Sequence, residues 1–497
     1  MAQTNLTAAG WEGPLDTGIW TDAGEFVVNN VGGILAGFGE FVQTGKGKDV
    51  LIGETSDGPG LEILGTLETN QGDDYVYAQT FKGVALDNFG IFSTGKGGDF
   101  IDAVVVSDAK NNIAFNNAGT FDAGKGQDEV KATVLIDGNR GGNSGIVNSD
   151  SFSTGADADA VTALVQVNGN SNNNSGVANS GDFDLGNGSD SLYTTVAVAG
   201  KGSSNTALAN AGTVETAAGA DEIFAEVATL TNGNANTAID NAQEINLGAG
   251  ADTATGAVVI GGNGQSNFGI NNSGQLLAGN GVNRLNGTVN IQGNGSNNIG
   301  FLNSGDIVGG AGKDYIYGDA MVMGFGNGNV GLLNFNTITT DGGKDFVHGQ
   351  VFGNGVGLQN TGLIQTGAKA DTVLGDNLGD GVGLNNSGVI ELGGGNDQII
   401  GLSQDIFKGF DGFGLIDLGK GDDALFGFGA QTVEGGAGTD SAFFDFALDG
   451  MVSLGSSAAN QIDITAGGAT MSLTNVEQFT FSNGFYTLGE LTDLAAA

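Results

Sequence analysis

The sequence predicts an all-β fold, a parallel β-helix (β-solenoid) of about 14 coils with 25 to 31 residues per coil and a cap at each end. Three observations predict it. An aspartate recurs at near-constant intervals in a glycine-rich turn, an asparagine stands at a fixed distance before it, and apolar residues keep one register around both. A period held over most of a chain is typical of solenoids, in which each repeat forms one coil of a stack.

The aspartates end turns of the pattern Gly-x-Gly-x-Asp or a close variant, for example GKGKD at 45–49. The interval is 25 or 26 residues in short coils, 29 to 31 in long coils and 17 at the last step. Position 283 carries asparagine instead. The aspartates are Asp49, Asp74, Asp99, Asp128, Asp159, Asp190, Asp221, Asp252, Asp314, Asp345, Asp371, Asp397, Asp423 and Asp440.

An asparagine precedes position 283 and each aspartate from Asp99 to Asp397 by 11 residues, and this offset never changes. All length variation falls in Gly/Asn/Ser stretches such as 168–176, which predicts a fixed core path with one variable outer loop per coil. Stacked inside the helix, the asparagines can hydrogen-bond to one another from coil to coil. The alternative is an ordinary Asn-Gly turn. The asparagines are Asn88, Asn117, Asn148, Asn179, Asn210, Asn241, Asn272, Asn303, Asn334, Asn360 and Asn386.

Apolar residues recur two positions after the aspartate, two before the asparagine and four after it. This alternation beside glycine turns predicts short strands with alternate residues inward. Four residues after the aspartate, the residue is nearly always Gly or Ala, which predicts a narrow corner. The array spans 39–440, and 1–38, with Trp11 and Trp20, is predicted to be an N-terminal cap. Residues 441–497 form the predicted C-terminal cap and secretion region.

The composition limits the kinds of partner that the chain can bind. The chain has 94 glycines, two prolines, no cysteine and a formal net charge of −41. Such an acidic chain repels nucleic acid and anionic membranes and attracts cations. Disulfides and thiolate metal sites are excluded. With no long apolar run and no N-terminal signal pattern, we expect no membrane insertion, and an export signal elsewhere if the protein is exported.

Two turns, GGAGKDYIY (309–317) and GGAGTDSAF (435–443), resemble the Gly-Gly-x-Gly-x-Asp-x-U-x pattern of RTX calcium-binding repeats, in which U is apolar. The resemblance implies Ca²⁺ between turns of adjacent coils, bound by backbone carbonyls and by the fourteen aspartates above, most of all at the step from Asp423 to Asp440. Without a cation, carboxylates about 4.8 Å apart repel by about 3.5 kcal/mol at an effective dielectric of about 20.

Two alternatives to calcium stay open. Each aspartate could cap its own turn through backbone N–H groups. Turn lysines could instead neutralise the carboxylates: Lys46, Lys48, Lys96, Lys125, Lys313, Lys344 and Lys420.

The tail NVEQFTFSNGFYTLGELTDLAAA (475–497) resembles the C-terminal region of type I secretion substrates, which carry RTX arrays. The resemblance implies a protein of a Gram-negative-type bacterium that is secreted and folds on meeting extracellular calcium, at the cell surface or beyond it. The alternative is a capping hairpin.

No catalytic motif is found, and we expect no enzyme. The single histidine, His348, follows an inward position and is expected to be solvated. The leading hypothesis is a secreted calcium-binding structural protein that self-assembles into an extracellular filament, surface layer or biofilm matrix. The alternatives are an adhesin that binds cell-surface polysaccharide through the Asn/Ser loop row, a β-helical polysaccharide-modifying enzyme, and a curli-like amyloid.

Overall fold

A computed structural model describes residues 27–30, 32–39, 41–456, 458 and 460–496, so Trp11, Trp20 and most of the predicted N-terminal cap lie outside the described residues. The chain forms two compact units, 1–261 and 262–497. In both units, short parallel strands stack into three sheets. The predicted parallel β-helix is therefore confirmed.

Most coils give one strand to each sheet. The strands of the long sheet follow the aspartate turn, those of the middle sheet end at the inward asparagine in the coils that have one, and those of the short sheet lie between that asparagine and the next turn. In unit 1, the long sheet contains Val27–Asn30, Val50–Thr55, Tyr75–Thr80, Phe100–Ser107, Glu129–Asp137, Ala160–Asn168, Ser191–Val198, Ala218–Gly219, Glu222–Thr229, Ala249–Gly250 and Thr253–Ile260. The middle sheet contains Ile34–Ala36, Leu61–Ile63, Val84–Asn88, Ile113–Asn117, Ser144–Asn148, Ser175–Asn179, Thr206–Asn210 and Thr237–Asn241. The short sheet contains Phe41–Gln43, Thr66–Glu68, Ile91–Ser93, Thr120–Asp122, Ser151–Ser153, Asp182–Asp184, Thr213–Glu215 and Glu244–Asn246.

Unit 2 repeats the plan. Its long sheet contains Asn280–Ile291, Gly312–Val322, Phe346–Phe352, Thr372–Asn377, Gln398–Ser403, Ala424–Phe426, Ser441–Phe443, Gln478–Phe481 and Gly484–Thr487. Its middle sheet contains Phe268–Asn272, Ile299–Asn303, Asn329–Asn334, Gly355–Asn360, Val382–Asn386 and Phe410–Asp411. Its short sheet contains Gln275–Leu277, Asp306–Val308, Thr337–Thr339, Leu363–Gln365, Val389–Glu391, Leu415–Asp417, Gln431–Glu434, Ser453–Gly455, Gln461–Ala466 and Ala469–Thr474.

Like residues stack on like in the core. In unit 1, Ile101 pairs with Val130, which pairs with Val161, and all three are fully buried. Phe152 and Phe183 stack with ring centroids 4.3 Å apart and planes within 7°. Each fully buried side chain of this size stabilises the fold by about 2–3 kcal/mol. The predicted inward alternation is confirmed.

The small residues four positions after the aspartate lie in the middle of long-sheet strands. A Cβ atom on Gly349 would lie 2.2 Å from the carbonyl oxygen of Gly357 in the middle sheet, and one on Gly375 would lie 2.4 Å from that of Gly383. The long and middle sheets therefore touch backbone to backbone at this point. The predicted constriction exists, but its placement at a corner is wrong, because it lies where two sheets meet.

The inward asparagines form the predicted ladder. The Nδ2 of Asn117 donates to the Oδ1 of Asn148 at 2.8 Å, and that of Asn148 donates to Asn179 at 2.8 Å. In unit 2, Asn303 donates in the same way to Asn334 at 2.8 Å. These amides are at most 2 % exposed, so the ladder satisfies polar groups inside the coils.

A second buried asparagine ladder lies within the stretches expected to be variable outer loops. The Nδ2 of Asn143 donates to the Oδ1 of Asn174 at 3.0 Å, and that of Asn174 donates to Asn205 at 2.8 Å. In unit 2, Asn267 donates to Asn298 at 2.9 Å. Two-residue strands also lie within these stretches: Ser171–Asn172 pairs with Gly202–Ser203 in unit 1, and Gly264–Gln265 pairs with Gly295–Ser296 in unit 2. Gly233–Asn234 is a further strand of this kind in unit 1. The inner edge of each loop is therefore as regular as the core.

The C-terminal region changes from parallel to antiparallel pairing. Gln461–Ala466 and Ala469–Thr474 form a hairpin, as do Gln478–Phe481 and Gly484–Thr487. Each hairpin adds to the last parallel strand of a sheet, and the helix Leu488–Ala496 follows. The described helix is too short and polar to span a membrane.

Candidate functional site

The structure collects the predicted aspartates into one buried file in each unit. Each side chain is at most 2 % exposed. The file of unit 1 contains Asp49, Asp74, Asp99, Asp128, Asp159, Asp190, Asp221 and Asp252. The file of unit 2 starts at Asn283 and contains Asp314, Asp345, Asp371, Asp397, Asp423 and Asp440.

One oxygen of each carboxylate joins neighbouring coils. The backbone N–H of Asp128 donates to the Oδ1 of Asp159 at 2.8 Å, and the N–H of Asp159 donates to Asp190 at 2.8 Å. The same bond recurs at 2.7–2.9 Å along both files. The donor thus belongs to the preceding coil. The alternative in which each aspartate caps its own turn is wrong in this respect, because the turn N–H groups face the adjacent coil.

The other oxygen, Oδ2, is buried and largely without a donor. In Asp49 it accepts a hydrogen bond from the hydroxyl of Thr44. Among the described residues, no hydrogen-bond partner reaches the Oδ2 of Asp74, Asp99, Asp128, Asp159, Asp190, Asp221, Asp314, Asp345, Asp371, Asp397, Asp423 or Asp440. A buried carboxylate oxygen without a partner carries a large desolvation cost when the group is ionised.

Burial therefore raises the pKa of these carboxyl groups, and neighbouring carboxylates raise it further in several coils. The pKa of Asp128 rises to about 8. The pKa values of Asp159, Asp314 and Asp397 rise to about 7. The N–H donor from the preceding coil and, beside Asp159, the hydroxyl of Thr154 oppose the rise without cancelling it. The files thus retain protons at a pH where an exposed aspartate is ionised.

The residue five positions before each aspartate determines what lies beside Oδ2. It is threonine in seven coils, and Leu, Ala or Gly in the others. The threonine hydroxyls donate to the next coil, as from Thr154 to the carbonyl of Leu185 at 2.8 Å. A Cβ atom on Gly309 would lie 2.3 Å from the Oδ2 of Asp314, and one on Gly435 would lie 2.8 Å from the Oδ2 of Asp440. The Oδ2 of Asp314 and that of Asp440 therefore lie against the first glycine of their GGxGxD turns, closer than any other residue at that position would allow.

The carboxyl groups fit a hard cation such as Ca²⁺ in chemical type, because they offer buried oxygen atoms that need a positive charge. Within the described part of the chain, no three His, Cys, Asp or Glu side chains converge on one point. A calcium ion would therefore take most of its oxygens from carbonyls, hydroxyls and water.

Among the described residues, the turn lysines form no ion pair with the file aspartates, although the charge of Lys313 opposes the rise in the pKa of Asp345. Lys46, Lys96 and Lys125 are exposed at the turn surface, as are the other four. The ion pairs found in the described residues lie elsewhere: the Nζ of Lys82 is 3.5 Å from Asp57, and that of Lys408 is 3.4 Å from Asp405.

Glu477, in the tail that resembles a secretion region, ends the file of unit 2. The backbone N–H of Asp440 donates to the Oε2 of Glu477 at 2.9 Å. Glu477 thus occupies the place that the next aspartate would take. The sequence analysis missed this role, although the Val-Glu pair follows the last turn at the point where the array stops.

His348 is only half-exposed, and so less solvated than expected. It lies on the outer face of the long sheet, as expected, but Tyr317 and Phe346 cover it with ring centroids 5.9 and 5.6 Å away. Burial lowers its pKa, although the carboxylate of Asp376 opposes this.

Comparison with known proteins adds no identity. No protein-family model matches the chain. No curated protein matches its sequence at a significant level.

Proposed function

We propose that this chain is a secreted structural protein that binds calcium along its carboxylate files and self-assembles into an extracellular filament, surface layer or biofilm matrix. The observation that carries the proposal is the file itself, in which coil after coil buries a carboxyl group with an unpartnered oxygen. Nearly all the described residues belong to stacked coils or to the hairpins that follow them, as befits a structural protein.

Calcium would supply the positive charge that the buried carboxylates of the files lack. An ionised file opposes folding, because each carboxylate is desolvated and lies one coil from the next. A cation that binds only the folded file converts its binding free energy into folding free energy. A chain exported unfolded from a low-calcium interior would then fold outside the cell.

Asp314 and Asp440 would hold calcium most tightly. Their turns carry both glycines of the GGxGxD pattern, and Gly309 and Gly435 let the Oδ2 oxygens lie against the turn backbone. At Asp190, by contrast, the residue in the same position is the buried Leu185. Asp190 therefore serves as a matched control for a buried carboxyl group in a turn without the first glycine.

The test compares thermal unfolding with calcium and with chelator in three proteins: wild type, Asp314→Asn/Asp440→Asn and Asp190→Asn. We expect calcium to raise the Tm of wild type and Asp190→Asn, and to raise that of the double variant much less. The calcium part fails if chelation leaves circular dichroism, Tm and appearance by negative-stain electron microscopy unchanged. The assembly part fails if the protein stays monomeric in calcium at every concentration.

A further inference from the structure

An apolar surface lies on the outer face of the long sheet in unit 2. On this face, alternate residues of the strands point away from the core. Five large apolar side chains of four successive coils are exposed here, each by 40–58 %. This set is called the apolar patch, and its members are Met321, Met323, Phe352, Leu378 and Leu402.

The patch is continuous across the coils. Met321 and Phe352 are paired on adjacent strands. The backbone N–H of Leu378 donates to the carbonyl of Val351 at 3.0 Å, which places Leu378 beside Phe352. Leu402 lies on the next strand, diagonally opposite Leu378. Neighbouring strands are about 4.8 Å apart, so these side chains form one surface.

The charges around the patch cancel. Within the described strands of the long sheet in unit 2, the outward carboxylates are Asp319 and Asp376, and both are half-buried. The side-chain amide of Gln350 donates to Asp376 at 2.9 Å. The outward cations of these strands, Arg284 and Lys313, equal the carboxylates in number. This sheet face therefore has no net formal charge, in a chain whose net charge is −41.

The fold itself does not require an uncharged outer face. In unit 1, the described strands of the long sheet carry one outward cation, Lys131, and six outward carboxylates. The carboxylates are Glu54, Asp102, Glu129, Asp137, Glu222 and Glu226. The short sheet of unit 2 is also acidic on its outer face, at Asp306, Glu391, Asp417 and Glu434. The neutral, apolar face of the long sheet in unit 2 is thus a property of its sequence.

The surface is large enough for a protein interface. With about 200 Å² for a large side chain, the five members of the patch present about 400 Å². Half-buried rings of the same sheet face, such as Phe426 and Phe443, extend this area toward the roughly 800 Å² that each partner buries in a specific interface. Contiguous exposed apolar patches of this size mark interaction surfaces.

We infer that the apolar patch pairs face to face with the same patch of a second copy of this chain. Two such acidic chains repel each other, and the repulsion is smallest where the facing surfaces carry no net charge. An apolar surface is complementary to itself, as a two-fold symmetric pair requires. Two sheets that pack in this way lie about 10 Å apart. The inference rests on the proposed function, because it supplies one contact for self-assembly.

The test measures self-association of the whole protein in calcium by sedimentation velocity. Leu378→Glu places a carboxylate in the patch and should weaken pairing at least about tenfold. Leu415→Glu is the matched control, because Leu415 is exposed by 39 %, against 41 % for Leu378, and points outward from the short sheet of the same unit. It adds the same charge and should pair as wild type does. Leu378→Met keeps an apolar side chain and should also pair as wild type does.

Salt distinguishes an apolar contact from a charged one. Raising NaCl from about 0.1 M to about 0.5 M should leave the pairing of wild type unchanged or strengthen it, because salt screens the remaining repulsion between the acidic chains. A contact between opposite charges would weaken instead, and that result would overturn the inference.

The inference is also overturned if wild type stays monomeric, if Leu378→Glu pairs as wild type does, or if Leu415→Glu weakens pairing equally. A monomeric wild type that cosediments with phosphatidylcholine vesicles would assign the patch to a lipid surface and overturn the pairing as well.

Negative-stain electron microscopy of the same samples separates this contact from the proposed function. Filaments or layers formed by Leu378→Glu as by wild type would overturn the contact and leave the proposed function standing. Pairs of wild type without any larger assembly would support the contact and contradict the proposed function.

Discussion

Replacing one buried aspartate with asparagine should stabilise the protein in the absence of calcium. Asp159 is a suitable position, because its Oδ2 has no partner among the described residues and its pKa rises from 3.8 to about 7. The chain already holds asparagine at position 283 of the file of unit 2, where Nδ2 donates to Asp314 at 3.0 Å and to the carbonyl of Gly279 at 3.3 Å. In Asp159→Asn, the introduced amide can donate in the same way to Asp190 and Gly155.

The magnitude follows from linkage. A folded-state pKa above the unfolded value means that protonation stabilises the fold, fully below pH 3.8 and progressively less as pH rises through about 7. At pH 8, ionised Asp159 costs about 4 kcal/mol relative to its neutral form, since each pKa unit is worth about 1.4 kcal/mol. Relaxation around the charge reduces this, so Asp159→Asn should gain about 2–4 kcal/mol at pH 8 and less than half as much at pH 5.

Urea denaturation in chelator at both pH values, followed by circular dichroism, measures the gain. Asp150→Asn is the control, because Asp150 is an exposed residue of the same coil and its loss removes the same formal charge. It should change stability by less than about 0.5 kcal/mol. The reasoning is refuted if Asp159→Asn destabilises the protein at pH 8, or if its effect is the same at pH 5.

Three further substitutions test other parts of the structure. Asn148→Ala removes one ladder hydrogen bond from the amide on each side and should cost about 2–4 kcal/mol in urea denaturation, against less than about 0.5 for the outward Asn385→Ala. Equal costs would contradict the ladder. Gly349→Ala should destabilise the protein by about 3 kcal/mol in thermal unfolding, because the new Cβ atom would meet a carbonyl oxygen. Gly342→Ala should not, because a Cβ atom there has no neighbour within 4 Å. Comparable Tm values for the two variants would refute the close approach of the sheets. Glu477→Ala should speed hydrogen exchange of the Asp440 backbone amide at least about tenfold, whereas Glu477→Gln keeps an acceptor and should keep most of the protection from exchange. An unchanged exchange rate in Glu477→Ala would contradict the capping role of Glu477.

Much of the coil was predictable because its period is strict. The fixed offset of 11 residues placed the asparagine ladder and the aspartate file correctly, and the apolar register placed the core. The second ladder had an equally constant signal, since Asn143 and Asn174 stand five residues before Asn148 and Asn179. It was missed because Gly/Asn/Ser composition is typical of exposed loops.

Other features depend on distances between coils, which a period does not give. The donor to each Oδ1 comes from the preceding coil, and Gly309 and Gly435 matter because they let Oδ2 lie against the turn backbone. The position of His348 along the sequence predicts only that it faces outward. The rings of Phe346 and of Tyr317 on the neighbouring strand cover it, and the sequence alone does not show that contact.

The most direct test of the buried carboxylate files is a potentiometric difference titration of the calcium-free protein, folded and unfolded in urea, between pH 4 and 8. Burial raises the pKa of at least nine file aspartates to about 6 or higher. The folded protein should therefore bind several more protons than the unfolded protein near pH 5.5, and stability should fall as pH rises. Equal proton binding by the two states, or an excess in the unfolded state, would contradict the buried, cation-requiring file.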